Sequence, residues 1–553
     1  MIETEFNLLH EKWIAVMKSD GETEEISLLD VFKRAHEFAG LAGELQTQDV
    51  AVLRLLLAVL HAVFGRRDVG GEYSPISSSG EASPSEARRR WKNLWDMKRF
   101  PYGVIEEYLL EYEDRFWLFH PERPFYQTAS LGERDAKDFF GPFDVSKLNG
   151  VLLEGDNKAR LFSLLSGEAK KTMSYSEAAR WLLHFVAFAE TFGKLEARNK
   201  TKGAPTLGVG WLGKLGLVVA LGNNLFETLM LNLIFLPNGE KKLWDDEEPV
   251  WERDQIIEEE RNEIVFPTNL SELYTLQSRR VLYEREGGRV TKFRFVSGDF
   301  FLKEKALSEQ MTLWRETTKK ANAPKVFEPK RHDPSKKIWR DFAALTVNDM
   351  MGGKCPGVVG WIAMLENEDV FTDPDFIVRF MTASVSYGNM QAVINDVFSD
   401  SLSFNASLLS ERGSDWVTRI VGELNYTDLL VRQLGYLARN LITAEGGSNG
   451  AEYGDKAKEQ AYYKLEEPFR IWLEKIKPDD KKDETCDLWF LEARATVRAL
   501  GRELVNKCGP QAYVGREDDD GRKYAAPDLY NLFIYMTSNR ETLTKTKKKE
   551  GKR

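Results

Sequence analysis

The sequence predicts an α+β protein: a large mixed α/β N-terminal domain over residues 1–409, a four-helix bundle over 410–539 and a basic, disordered tail over 540–553. Three observations predict it. The chain has 553 residues, more than one ordinary core accommodates. Up to about Ser410, short alternating apolar runs are mixed with helical spacings. Beyond Ser410, four amphipathic helical patterns follow one another with loops between them.

The elements follow in order. "KWIAVM" is a short strand-like run that ends at the turn "SDGE". "SLLDVFKRAHEF" has helical spacing, with Ser27 placed to cap it. A long apolar helix covers Asp49–Phe64. "DRFWLFHPERPFYQT" is aromatic and broken by prolines, which predicts irregular chain, with His120 capping or packing locally. "SYSEAARWLLHFVAFAETFG" returns to helix, capped by Ser174 or Ser176. "KLGLVVALG" reads as a strand and "GNNLFETLMLNLIF" as a helix. "RRVLYEREGGRVTKFRFVSGDFF" is two alternating runs around Gly-Gly, the pattern of a hairpin. The acidic run Asp245–Glu263 predicts a solvated surface segment.

In the bundle, "SDWVTRIVGEL" and "EQAYYKLEEPFRIWLEKI" each have helical spacing. Leu430, Leu434, Leu437 and Leu441 share one helix face, and Phe490, Ala493, Val497, Leu500 and Leu504 share another. "TAEGGSNGAEYGD" predicts a flexible loop. Arg494, Arg498 and Arg502 recur at i, i+4, i+8 as a basic stripe opposite the apolar face. Such a stripe is either a solvated face, with Glu492 and Glu503 beside it, or a contact for displaced single-stranded DNA or a neighbouring subunit.

Composition excludes several classes. Net charge is −10, so a nucleic-acid role must rest on local basic patches or on partners. Cys355, Cys486 and Cys508 lie far apart, with no C-x-x-C pair, so neither a zinc ribbon nor a disulfide framework is legible; this usage suits a reducing cytoplasm. "MIETEFNLLHEKW" lacks the basic start of a signal peptide. The run Val50–Phe64 is interrupted by Arg54 and His61, and reads as a buried helix with no membrane span.

"KTKGAPTLGVGWLGKLG" contains Gly208, Gly210 and Gly213 in the spacing G-x-G-x-x-G. A dinucleotide site needs an apolar strand before those glycines and a helix after them. Polar "KLEARNKTKGAPT" precedes, and a strand-like run follows. A phosphate loop of the Walker type also fails, because Val209 stands where its lysine must be. The histidines form no H-E-x-x-H, and no G-x-S-x-G elbow occurs. From residues alone, the balance favours a binding or assembly protein over an enzyme. A stand-alone nucleotide-dependent enzyme using residues 200–216 is the alternative.

Seven stretches, in order, carry a family resemblance: "FNLLHEKWIAV", "LAGELQTQDVAVLRLLLAVLH", "HPERPFYQT", "GWLGKLGLVVALGNNLFETLMLNL", "LYTLQSRRVLYE", "FFLKEK" and "MMGGKCPGVVGW". Their succession resembles the CasA family, the large subunit of the type I-E CRISPR surveillance complex Cascade, from Asn7 to the last bundle helix. The resemblance implies a non-enzymatic cytoplasmic subunit that needs no cofactor. Its implied partners are the 5′ handle of a guide RNA, double-stranded target DNA, the backbone, handle-binding and small subunits, and a separate helicase-nuclease. The implied task is to inspect duplex DNA for a protospacer-adjacent motif (PAM), to help open it there and to dock the helicase-nuclease. The implied fold is a mixed α/β domain followed by a four-helix bundle.

The resemblance also implies site residues. A glycine-containing loop approaches the motif from the minor groove, and its place here is "KTKGAP", with Gly203 as the loop glycine and Lys200 and Lys202 beside phosphates. Lys305 of "FFLKEK" matches a lysine that enters the minor groove. Pro356, Gly357 and Val358 fall where some members carry a strand-parting wedge; Val358 stands in the glutamine's place, and an apolar wedge can still unstack a base step. Lys354 beside it is placed for a phosphate. A docking loop near the guide handle matches "ARLFSLLSGEAKKTMS", with Phe162 as anchor, then Ser163 and Leu164, and with Lys170 and Lys171 inside the loop. Some members have a cysteine cluster before the "FLKEK" stretch; "REGGRVTKFRF" stands here without cysteine, so no metal is expected.

Overall fold

The computed structural model describes residues 4–78, 81–149, 165–192, 208–236, 248–253, 267, 269–299, 309–318, 325–347, 352–371, 373–517 and 521–544. They form two compact units: Met1–Lys337 with Ala344–Val370 and Val378–Ser401, and Ile338–Ala343 with Phe371–Ile377 and Leu402–Arg553. Helix and sheet are mixed in the first, and helices dominate the second.

The first unit is built around the helix Gln46–Phe64. Its residues are buried except Gln46 and Asp49. The helix is long and apolar enough to cross a membrane by composition, yet it lies inside the protein, 94% buried over its most apolar window. It packs against the helices Tyr175–Phe188 and Leu270–Tyr274. Ser174 caps Tyr175–Phe188 through a reciprocal box with Glu177, whose carboxylate accepts the Ser174 N–H at 2.8 Å. Ser27 caps Leu28–Arg34, and Asn224 caps Leu225–Asn232.

Three antiparallel three-stranded sheets surround this helical centre. Thr23–Ile26, Ile14–Lys18 and Phe38–Leu41 form one. Arg279–Glu286, Arg289–Ser297 and Phe140–Asp144 form the second, turning at Gly287–Gly288 as the alternation predicts. Ile394–Asn405, Ile377–Tyr387 and Leu217–Leu221 form the third. Phe293 and Phe295 of the hairpin pack edge-on against Phe185, at ring-centre distances of 5.3 and 5.2 Å. "WLF" departs from the irregular chain expected there: Trp117–Phe119 pairs with Glu5–Asn7. The strand is short and its partner is over a hundred residues away, so local composition gives no sign of it. His120 packs locally as expected, its Nδ1 accepting the Glu122 and Arg123 N–H groups.

In the second unit "SDWVTRIVGEL" and the leucine-faced run after it, expected as separate helices, form one continuous helix, Ser414–Ala444, because no breaker stands between them; it packs against Gly450–Lys475, Lys482–Asn506 and a fourth helix the spacing did not disclose, Ala526–Met536. Leu430, Leu434, Leu437 and Leu441 are buried, as are Phe490, Ala493, Val497 and Leu500. Leu504 is half-buried. Trp489 donates its indole N–H to the Thr427 hydroxyl at 3.0 Å. The expected glycine-rich loop is shorter than its composition indicates: the second helix already starts at Gly450. Gly454 lies so close to the first helix that a Cβ there would sit 2.9 Å from the Gly435 carbonyl oxygen. The glycines therefore serve close helix packing as well as a turn.

Two apolar segments distant in sequence join this unit. Trp339 lies 5.0 Å from Phe469, ring to ring, and Asn405 donates to the Pro374 carbonyl at 3.0 Å. The expected tail begins as ordered chain. Residues 540–544 are helical, Leu543 is fully buried, and Arg540 pairs with Glu423 at 2.9 Å and with Asp487 at 2.5 Å. The lysine-rich residues 545–553 lie outside the described residues.

Candidate nucleic-acid interface

Arg54 is a cation in the middle of an apolar helix, and such a charge needs a partner. Its partner is Glu309, in a bidentate pair at 2.8 and 3.1 Å, with side chains 1% and 0% exposed. Arg54 also donates to the Leu273 carbonyl at 3.2 Å and lies over the Tyr274 ring at 4.5 Å. Glu309 further accepts the Trp211 indole N–H at 2.9 Å and the Met311 N–H at 3.1 Å. Burial works to raise the Glu309 carboxyl, but the Arg54 charge and these hydrogen bonds outweigh it and hold the group below its ordinary value.

This pair ties together chain segments far apart in sequence. Trp211 stands just after the glycine loop, and Glu309 just after the "FLKEK" stretch. The neighbour of Glu309, Gln310, accepts the Val358 N–H at 3.0 Å, which fixes the start of the helix Gly357–Asn367. Residues 311–313 then run beside the strand Leu217–Leu221: Val218 N–H meets the Met311 carbonyl at 3.1 Å, and Leu313 N–H meets the Gly216 carbonyl at 2.9 Å. The glycine-loop, lysine-loop and wedge segments are thus rooted in one buried node.

Around the node, Lys354 is half-buried with its Nζ 4.9 Å from the Trp314 ring centre. Lys325 bonds the Gly352 carbonyl and pairs with Glu316 at 3.4 Å. Pro356 caps the wedge helix, and Pro356, Gly357 and Val358 are buried, Val358 completely. In this conformation the Val358 side chain belongs to the core, while the preceding Gly352 is exposed. Arg331, which the sequence reading passed over, sits over the Tyr387 ring at 5.3 Å with no carboxylate partner among the described residues. Burial lowers its pKa. Lys200, Lys202, Gly203, Lys305, Phe162, Ser163 and Leu164 lie outside the described residues.

The fingerprint glycines have a different use from the one their spacing imitates. A Cβ on Gly210 would overlap the Ala187 carbonyl, and one on Gly213 would overlap the Tyr387 hydroxyl. The Gly210 N–H bonds the Ala189 carbonyl at 2.8 Å, and the Trp211 N–H bonds the Ser278 hydroxyl at 3.0 Å. Those N–H groups are taken by the protein, and a short turn and a strand follow them instead of a helix.

The docking-loop lysines lie elsewhere. Lys170 ends the turn Gly167–Lys170 and Lys171 is exposed. Just beyond, Met173 and Val290 exchange hydrogen bonds at 2.9 and 3.0 Å, at the turn end of the hairpin. The hairpin's other end touches the start of the fingerprint stretch, where Arg279 donates to the Gly208 carbonyl at 2.7 Å. At ~3.3 Å per residue, the eight-residue strand between them spans roughly 25 Å. One hairpin therefore separates the two expected contact regions.

In the bundle, the arginine stripe is divided. Arg494 donates to the Ser538 carbonyl at 2.6 Å, and Arg498 to the Ile534 carbonyl at 2.7 Å and the Thr537 hydroxyl at 3.0 Å. Both close the C-terminal end of the fourth helix, where cations are favoured. Arg502 is exposed. Sequence reasoning missed Glu309, Trp211 and Gln310. The one available signal was Arg54, a charge inside an apolar run.

The family profile of CRISPR-associated protein Cse1 matches residues 7–500. The chain belongs to the Cse1 family. A CasA/Cse1 protein of Thermus thermophilus is 28% identical over 457 residues, covering 81% of this chain and 80% of that protein. The crystal structure of Thermobifida fusca Cse1 is 29% identical, covers 98% of both chains and superposes with a TM-score of 0.78. A chain of a CRISPR RNA-guided surveillance complex shares the fold at 17% identity and a TM-score of 0.69, covering 97% of this chain and all of that one. The mixed α/β region followed by helices is therefore the Cse1 architecture.

Proposed function

We propose that this Cse1-family chain is a non-catalytic, cytoplasmic subunit of an RNA-guided surveillance complex that inspects duplex DNA for a protospacer-adjacent motif. The single observation that carries this reading is the common root of three segments at Arg54–Glu309. A groove reader needs several side chains held in fixed relative positions on one duplex. Gly203 and Lys305 read the minor groove, Lys354 and Arg331 neutralise phosphates, and the Pro356–Val358 turn parts the strands once its helix start opens. Base pairing to the guide supplies the rest of the sequence selection. The other complex subunits, the guide's 5′ handle and the helicase-nuclease are the partners that this role requires.

The alternative of a nucleotide-dependent enzyme has little support, because the Gly210 and Trp211 N–H groups are already bonded within the protein and a strand follows where a helix is required. The test is binding of the reconstituted complex to duplexes with and without a candidate motif. Lys305→Ala and deletion of Lys202–Ala204 should remove most of the advantage of motif-bearing DNA. Undiminished discrimination in both variants would overturn the assignment and move the search to Lys354–Val358.

A further inference from the structure

A separate cleft opens in the first unit, with an empty volume of about 720 Å³ including its open mouth. Four arginines line it against two carboxylates, an excess of two positive charges. Both carboxylates are engaged: Glu272 pairs with Arg253 at 2.9 Å, and Asp299 pairs with Arg280 at 2.8 Å. Three donors stand out. The Arg123 guanidinium is half-buried and makes no hydrogen bond or ion pair among the described residues. Arg280 is 4% exposed, and its Nε–H is buried without an acceptor among the described residues. A buried N–H of this kind is costly to leave unmade, which points to an absent acceptor.

The third donor is Tyr126. This bulky residue is held at a φ of 55°, in the left-handed region that side chains other than glycine rarely enter. Such strain recurs at ligand clamps. Its hydroxyl has no hydrogen-bond partner among the described residues, although the residue is only 7% exposed. The cleft thus combines surplus positive charge, donors without acceptors among the described residues, and two carboxylates that are already paired.

We infer that this cleft binds a phosphate-class anion, held by Arg123, the Nε–H of Arg280 and the Tyr126 hydroxyl. A phosphate dianion matches the excess charge, and the planar guanidinium suits tetrahedral oxyanions. The site stands apart from the motif-reading proposal and does not depend on it. A free phosphorylated small molecule and a nucleic-acid phosphodiester share the recognised chemistry, so the experiment separates them.

The full chain is titrated calorimetrically, in chloride buffer, with inorganic phosphate, with adenosine monophosphate and with a short RNA lacking a terminal phosphate. Phosphate or the mononucleotide should bind, Arg123→Gln should weaken that binding about ten-fold or more, and Arg123→Lys should restore part of it. The unliganded thermal midpoint of both variants should match that of the parent, which separates lost binding from lost folding. Binding of the RNA alone, with the same Arg123 dependence, would keep the anion site and identify its source as a phosphodiester backbone. Absence of binding by all three ligands at millimolar concentration, or equal affinity in Arg123→Gln, would overturn the inference.

Discussion

Arg54 and Arg498 carry the same guanidinium into two very different settings. Arg54 is 1% exposed and meets a carboxylate 255 positions away in sequence. Arg498 is half-buried and meets the carbonyl end of the next long helix. A charge sealed in the core needs an opposite charge, and the core takes that charge from any distance along the chain. A charge at a rim can be satisfied by neutral carbonyls close by. The first arrangement can hold loops together; the second ends a helix.

The largest expected effect tests the first arrangement. Glu309→Leu leaves Arg54 buried without its counterion and should cost about 3–5 kcal/mol of stability by denaturant unfolding. Adding Arg54→Met should recover much of that loss, and simple additivity of the two changes would show that they do not act as a pair. In the assembled complex, the milder Glu309→Gln should weaken motif discrimination while the fold persists.

Buried bases offer a second contrast. Burial pushes His61 and His184 down to about 3 from the ordinary 6.5. Between those values the unfolded chain binds protons that the folded chain does not. The stability these groups contribute is therefore complete above pH 6.5 and is lost as pH falls toward 3. Each such histidine should contribute a slope of about 1.4 kcal/mol per pH unit in that window. His184→Gln should flatten the acid limb of a stability–pH curve; an unchanged slope would show that His184 charges in place.

The rim arrangement should give smaller effects. Arg498→Ala should cost about 1–2 kcal/mol and speed amide exchange within Ala526–Met536. Arg502→Ala should change stability by less than about 0.5 kcal/mol. Equal losses for the two would mean that the exposed arginine has a partner of its own.

These cases also separate what the sequence discloses from what it withholds. The apolar face through Leu430 and Leu441, the Ser174 cap and the Gly-Gly hairpin rest on local rules, and the structure bears them out. The family was legible from the order of seven stretches, none decisive alone. The link from Arg54 to Glu309 was not legible, because no periodicity spans such a separation. Nor could the i, i+4, i+8 stripe disclose that two of its arginines face a helix end, since that end belongs to another element. Trp339 joined the bundle unseen for the same reason: a lone aromatic in a short segment has no pattern to betray its neighbours.

The buried node has a consequence for how such a chain can diverge. The segments that leave it can change in length and chemistry without disturbing the pair that roots them. A scaffold of this kind lets sequences drift while the frame is inherited, as a TM-score of 0.78 at 29% identity illustrates.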